Sequence, residues 1–211
     1  NDMSRISSNG NINTPWGQFS INLSHNGPPS RFTTTLTVTT PFQGYDRMSA
    51  SLTHVGPNAA DIETTLALAT PKGEFGLTVM HKGTLNKFSS SLAVTTPFRQ
   101  YRTMSVAVTH DGRSLRRFES STTLVTPWGQ FSAGINHNGQ PTSFTTSLSL
   151  STPFQGYEQM SAELRHAAAQ VSDIETSLIL NMPFGVYEFN FNHKGQLAQF
   201  STTAAIKTPH R

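Results

Sequence analysis

Seven histidines recur along this chain at His25, His54, His81, His110, His137, His166 and His193, separated alternately by 29 and 27 residues. A row of imidazoles could bind a metal or carry protons, so their placement decides what chemistry they can do. Each closes a run in which apolar and polar residues alternate, such as Phe19, Ile21, Leu23, His25 and Met48, Ala50, Leu52, His54. Period two marks strands, which puts every histidine on the apolar face near one strand end. Equivalent strands of a meander lie two positions apart, so neighbouring histidines stand roughly 9 to 10 Å from each other. Ligands of one zinc ion must sit about 2 Å from it. The expectation is a rim of imidazoles, each closing its turn through a backbone hydrogen bond, with no metal centre. Several of them titrating together near about pH 6 would charge one edge of the sheet.

Other chemistry finds little purchase. No cysteine is present, which removes disulfides, thiol nucleophiles and cysteine metal sites. No Gly-Xaa-Ser-Xaa-Gly elbow, phosphate-binding glycine loop or His-Glu-Xaa-Xaa-His occurs. Asp61/Glu63 and Asp173/Glu175 recur at strand starts and are expected to answer nearby Lys or Arg, not to work as an acid–base pair. The cluster Arg113, Arg116, Arg117 is the densest charge, read as a solvated turn, an anionic headgroup contact or a protease site. Asn22-Leu23-Ser24 is a glycosylation sequon inside a strand. The expectation is a protein without enzymatic activity, catalytic residues or a covalent cofactor.

The elements that carry the histidines are tandem repeats. A long unit beginning Thr40-Pro41-Phe42-Gln43-Gly44-Tyr45 returns at Thr96-Pro97-Phe98 and Thr152-Pro153-Phe154-Gln155-Gly156-Tyr157. A short unit beginning Thr14-Pro15-Trp16-Gly17 returns at Thr70-Pro71, Thr126-Pro127-Trp128 and Met182-Pro183. Long and short units make a double repeat of 56 residues, and Trp16-Gly17-Gln18-Phe19-Ser20 matches Trp128-Gly129-Gln130-Phe131-Ser132 at twice that offset. Residues 1–211 read as one repeat domain: a half repeat over 1–13, then double repeats from 14, 70 and 126. The half repeat at one end and the terminal Arg211 at the other lead to the expectation of a proteolytic fragment of a longer array.

Charged residues form 13% of the chain, about half the usual share, and Ser and Thr supply most of the polarity. A formal charge of only +3 makes nucleic acid an unexpected partner. No apolar run is long enough for a transmembrane helix. Two turn types bound the strands: a His-Xaa-Gly turn whose glycine supplies positive φ, as in Asn26-Gly27, Lys82-Gly83, Asp111-Gly112 and Asn138-Gly139, and a Thr-Pro turn. The fold class expected is all-β, an antiparallel up-and-down meander of about 15 amphipathic strands, either strongly curved or closed as a large barrel.

Strands of about eight residues at 3.3 Å, spaced about 4.8 Å, give a sheet roughly 27 by 70 Å. One face, on the order of 1,900 Å², is apolar, far beyond the few hundred Å² a soluble monomer leaves exposed. Its cover is a closed or folded sheet, another chain, or lipid. The residues that would touch an apolar ligand are the inward alternates Phe19, Ile21, Leu23, Phe32, Leu36, Val38, Met48, Leu52, Leu66, Leu68, Phe75, Leu77, Val79, Phe131, Leu148, Leu164, Phe189 and Phe191. The same residues would equally fill a closed protein core.

The units Thr-Pro-Phe-Xaa-Gly-Tyr-Xaa-Xaa-Met-Ser followed by Leu-Xaa-His-Xaa-Gly resemble the amphipathic β-strand repeats of apolipophorins, in the large lipid transfer protein superfamily with apolipoprotein B and vitellogenin. The resemblance runs from Thr14 to Pro209 and lacks the helical lipid-transfer module of that superfamily. It implies a secreted, proteolytically processed protein that carries hydrophobic ligand (lipid, sterol or carotenoid) beside sibling fragments or copies of itself. A structural protein whose apolar face packs on other subunits, and a membrane-embedded β-barrel, are the alternatives.

Overall fold

A computed structural model describes residues 4–196 and 198–209, with the Arg113 side chain also outside the description. Arg211 and its expected cleavage site therefore lie outside the described residues. Fifteen strands follow in order: β1 Arg5–Thr14, β2 Gly17–Asn26, β3 Arg31–Thr39, β4 Arg47–Asn58, β5 Asp61–Thr70, β6 Gly73–Thr84, β7 Lys87–Thr95, β8 Thr103–Ser114, β9 Arg117–Thr126, β10 Gly129–Gln140, β11 Ser143–Ser151, β12 Gln159–Gln170, β13 Asp173–Met182, β14 Gly185–Gln196 and β15 Gln199–Lys207. They form one antiparallel meander in which each strand bonds its neighbours in sequence. The expected strand number and topology hold. Of the two forms left open, the sheet does not close into a barrel, so there is no lumen.

By contacts the chain divides into two units, one of Asn1–Thr84, Phe88–Ala107 and Val125–Pro127, the other of Leu85–Lys87, Val108–Leu124 and Trp128–Arg211. In the first, Leu23 faces Leu36, Leu36 faces Ala50, Leu52 faces Leu66 and Leu66 faces Leu77. In the second, Ile135 faces Leu148, Leu164 faces Leu178 and Leu178 faces Phe189. The period-two pattern thus lines up across strands and segregates the faces. The opposite face is held by hydroxyl and amide pairs, including Ser20 with Thr39, Ser132 with Ser151 at 2.7 Å and Asn181 Nδ2 donating to Ser161 Oγ at 2.9 Å.

Among the described residues no hydrophobic side chain is fully buried. The chain leaves 15211 Å² accessible, where a compact monomer of its mass would leave about 9,700 Å². The difference follows from how the strands bury surface: each does so mainly against the one or two strands it bonds, and among the described residues no hydrophobic side chain is buried.

β1 takes the place expected of a half repeat, because Ile6 faces His25 as Phe32 faces His54. The turns divide as the sequence indicates, with one correction. Except in β2, His-Xaa-Gly does not end its strand: β4, β6, β8, β10 and β14 run on past it, as β12 does past His166-Ala167-Ala168, and all six are 12 residues long instead of about eight. The glycine amide is satisfied across the sheet, as in Gly56 N to Ser30 O at 2.8 Å and Gly83 N to Ala60 O at 2.7 Å, so pairing has no reason to stop there. Among the His-Xaa-Gly glycines, positive φ is also confined to the short units. Gly27 has φ 116°, whereas Gly56 and Gly112 have no such conformation and Ala168 fills the same place in the third long unit. The reading of Gly112 as a turn glycine is therefore wrong.

The long Thr-Pro turns are built alike. Thr40 Oγ1 donates to Tyr45 O at 2.7 Å and accepts from Phe42 N at 3.3 Å, and the same bonds recur at Thr96 and Thr152. In the turn after β11, Gly156 N donates to Glu158 Oε1 at 2.9 Å. That bond, followed by one from the Glu158 amide, holds the carboxyl below the ordinary carboxylate range. A depressed carboxyl stabilises above its unfolded pKa and loses that contribution as pH falls through its folded value. The Gly156 amide resonance should accordingly follow an acidic titration that Glu158→Gln abolishes. Because the group is fully exposed, the expected effect is local to the turn.

Candidate functional site

The apolar face carries two ordered bands. Along one strand end, each of the seven histidines places Nδ1 2.7–2.9 Å from a hydroxyl on the next strand: Thr34, Thr64, Ser90, Ser120, Thr146, Thr176 and Thr202. At His25 a backbone partner is also in reach, Gly27 O at 3.2 Å from Nε2. Nε2–H donates to that carbonyl, so Nδ1 is the acceptor for the Thr34 hydroxyl. The expected turn-closing backbone bonds are thus replaced by cross-strand hydroxyl pairs. The reason is register, since histidine and hydroxyl are directly paired residues, as at His54 and Thr64. A β-carbon at Gly56 would meet His54 Nε2 at 2.7 Å, which shows the ring lying over the glycine two residues on.

Between the imidazoles stand aromatic or branched side chains. In the first unit Phe32 lies 5.3 Å from His25 and 5.2 Å from His54, Ile62 faces His81, and Phe88 lies 5.9 Å from His81. In the second, Phe118 stacks on His137 at 5.3 Å, Phe144 lies 5.5 Å from His137 and 5.2 Å from His166, and Ile174 faces His193. The result in each unit is an alternating ladder of imidazole and Phe or Ile, one rung per strand. The intervening rings keep successive imidazoles apart. Among the described residues no three His, Asp or Glu side chains converge as a metal site would require. The ladder was visible in the chain, had it been sought: a hydroxyl follows every repeat histidine by nine or ten residues, with Phe or Ile two residues before it.

At the other strand end, rings from the long turns fold onto the same face. Phe42 meets Phe19 edge-on at 5.6 Å, Phe98 meets Phe75 at 5.9 Å and Phe154 meets Phe131 at 5.6 Å. Each pair uses the edge-to-face geometry aromatic rings prefer. Between the bands lie the aliphatic rows, and all eighteen expected ligand-facing residues sit on this face. Ile21, Leu23, Leu66, Leu68, Leu77, Val79, Leu148 and Phe189 are exposed; Phe19, Phe32, Leu36, Val38, Met48, Leu52, Phe75, Phe131, Leu164 and Phe191 are half-buried by neighbours. Among the described residues, apart from the histidines and Tyr187, no titratable side chain occupies a strand position of this face.

The remaining candidates scatter. Asp61 faces Lys82 and Asp173 faces Lys194 in register, while ion pairs among the described residues include Lys87–Asp111, Arg165–Glu163 and Lys207–Glu188, all with one strongly exposed partner. Arg116 lies in the turn after β8 and Arg117 opens β9. Asn22 is exposed on the polar face, opposite Asn9 and Thr37. Depressions are open polar furrows, one lined by Asp111, Arg117, Glu119, Asn136 and Asn138 and another by Glu74, Thr95, Arg99 and Arg102. In each unit the arrangement offers an apolar surface with a weakly polar imidazole band. No family model, curated protein or solved structure matches this chain.

Proposed function

We propose that the chain binds and carries hydrophobic ligand, lipid above all, on the apolar face of its sheet, as part of a secreted lipoprotein-like assembly. The observation that carries this reading is the bare face: among the described residues nothing hydrophobic is buried, and the aliphatic rows of both units meet solvent. Covering half of a face on the order of 1,900 Å² returns roughly 24 kcal/mol at about 25 cal/mol per Å². That exceeds the roughly 4–15 kcal/mol lost on association. An open sheet has no lumen for a single molecule, so a lipid surface, with sterol or carotenoid dissolved in it, suits it better than one enclosed ligand. The resemblance to apolipophorin-like strand repeats agrees with this, and the mechanism is burial alone, without a cofactor or catalytic step.

A second reading is an assembly in which the face packs on sibling fragments or further copies. It draws on β1 and β15, each bonded to a single neighbour and so able to accept another strand. The test is organic extraction of natively purified protein, followed by mass spectrometry and an absorption spectrum. Lipid or carotenoid well above a mole per mole of protein is the expected result. An empty extract from a folded oligomer would sink the carrier and leave the assembly.

A further inference from the structure

We propose that the Thr-Pro end of the sheet is the edge at which each unit meets the headgroup boundary of a lipid surface, anchored by Trp16 in one unit and Trp128 in the other. The inference rests on the lipid-carrying reading above and adds an orientation to it. Both tryptophans of the chain and three of its four tyrosines, Tyr45, Tyr101 and Tyr157, lie in Thr-Pro turns. The indoles are 74% and 72% exposed, the phenols 44–51%. Among the described residues no turn at the opposite end carries an aromatic side chain: Pro28-Pro29-Ser30, Ala59-Ala60, Leu85-Asn86, Leu115-Arg116, Pro141-Thr142 and Val171-Ser172 are examples.

Indole and phenol combine a large apolar body with one polar group, which makes the zone between headgroups and acyl chains their preferred environment. In water the same rings at such exposure are an unrecovered cost. The turn holds the Trp16 backbone in a set position: Trp16 N donates to Thr14 Oγ1 at 3.3 Å, Thr14 Oγ1 donates to Gly17 O at 2.9 Å, and Gly17 packs against Pro41. Gly129 packs against Pro153 in the same way beside Trp128. Phe42 and Phe154, lying on Phe19 and Phe131, continue the aromatic band onto the aliphatic face, so the edge and the face address one surface. Charge selects the lipid only weakly, because Arg47, Lys72, Arg99 and Arg102 at this end are offset by Asp46, Glu74 and Glu158 to within one charge. The fitting probe is therefore zwitterionic.

The experiment uses triglyceride emulsions coated with phosphatidylcholine, scored by flotation and by tryptophan emission, with acyl chains brominated either near the headgroup or near the chain end. Co-flotation, a blue shift, and quenching strongest with the shallow bromines are expected for the native chain. A second chain carries Trp16→Phe, Trp128→Phe and Leu115→Trp, which moves the probe to a 93%-exposed position in an opposite-end turn. Its emission should stay unshifted while it floats. Flotation with unshifted native tryptophans, or an equal shift at position 115, overturns the orientation and leaves lipid carriage standing. Absence of flotation overturns both, and native tryptophans that shift only on adding a protein partner would assign the edge to protein contact instead.

Discussion

A chain with Leu66→Asp and Leu77→Lys keeps its paired strands and loses capture of phosphatidylcholine-coated emulsions by about tenfold or more. The two leucines face each other across β5 and β6, and are 40% and 36% exposed. In water the substitutions remove little buried area, and an opposite-charge pair directly across two strands contributes roughly 0.2–1 kcal/mol. The net charge of the chain is unchanged. Against lipid the balance reverses, because the pair must be desolvated at a cost of several kcal/mol per ion, only partly recovered by mutual attraction. A tenfold loss needs just about 1.4 kcal/mol of that. Circular dichroism and flotation separate the outcomes. Collapse of the sheet in lipid-free buffer would mean that the face is a protein core, and undiminished flotation would place lipid contact elsewhere.

Gly27→Ala destabilises the β2–β3 hairpin by about 3 kcal/mol or more, while Gly56→Ala costs about 1 kcal/mol or less. The two glycines hold the same place, two residues after a repeat histidine, and a sequence comparison of the units would treat them alike. Their surroundings differ. Gly27 has φ 116°, and a β-carbon there would be driven into the carbonyl oxygen of Arg31 and to 2.9 Å from Phe32 Cα, both backbone atoms that cannot move aside. Gly56 has ordinary backbone geometry, and its β-carbon would meet only the His54 ring, which can turn away, as Ala168 beside His166 illustrates. In a repeat sheet each strand leans on its neighbours alone, so the damage should stay near the altered hairpin. Hydrogen exchange resolved by strand reads it: faster exchange in β2 and β3 for Gly27→Ala, near-native rates for Gly56→Ala. Equal effects of the two substitutions would sink the distinction.

Strand number, antiparallel order and the identity of the apolar face were all readable from the chain, because each depends on contacts between near neighbours. Alternation over eight residues chooses a face, and short turns, Thr-Pro at one end and pairs such as Ala59-Ala60 at the other, reverse the chain within a few residues. Ile6, Ser8, Gly10 and Ile12 have the period of Phe32, Thr34, Leu36 and Val38, and Ile6 faces His25 as Phe32 faces His54. The partners of the histidines were within reach, at nine or ten residues, but recognising them required the register of two strands at once.

Three things were decided only by the tertiary structure. Closure was one, since a barrel and an open meander use the same local pairs and differ in whether β1 meets β15, a contact that no local pattern encodes. The conformation of the glycines was another, because φ at Gly27 and Gly56 follows from how each strand is seated against the next and not from the shared His-Xaa-Gly triplet. The third was the gathering of rings at one end. Trp16, Tyr45 and Tyr101 are scattered through 86 positions of sequence, and they become one edge because a meander returns every second turn to the same side. Local periodicity determined what each strand is; the accumulated register of strand on strand determined what the sheet presents.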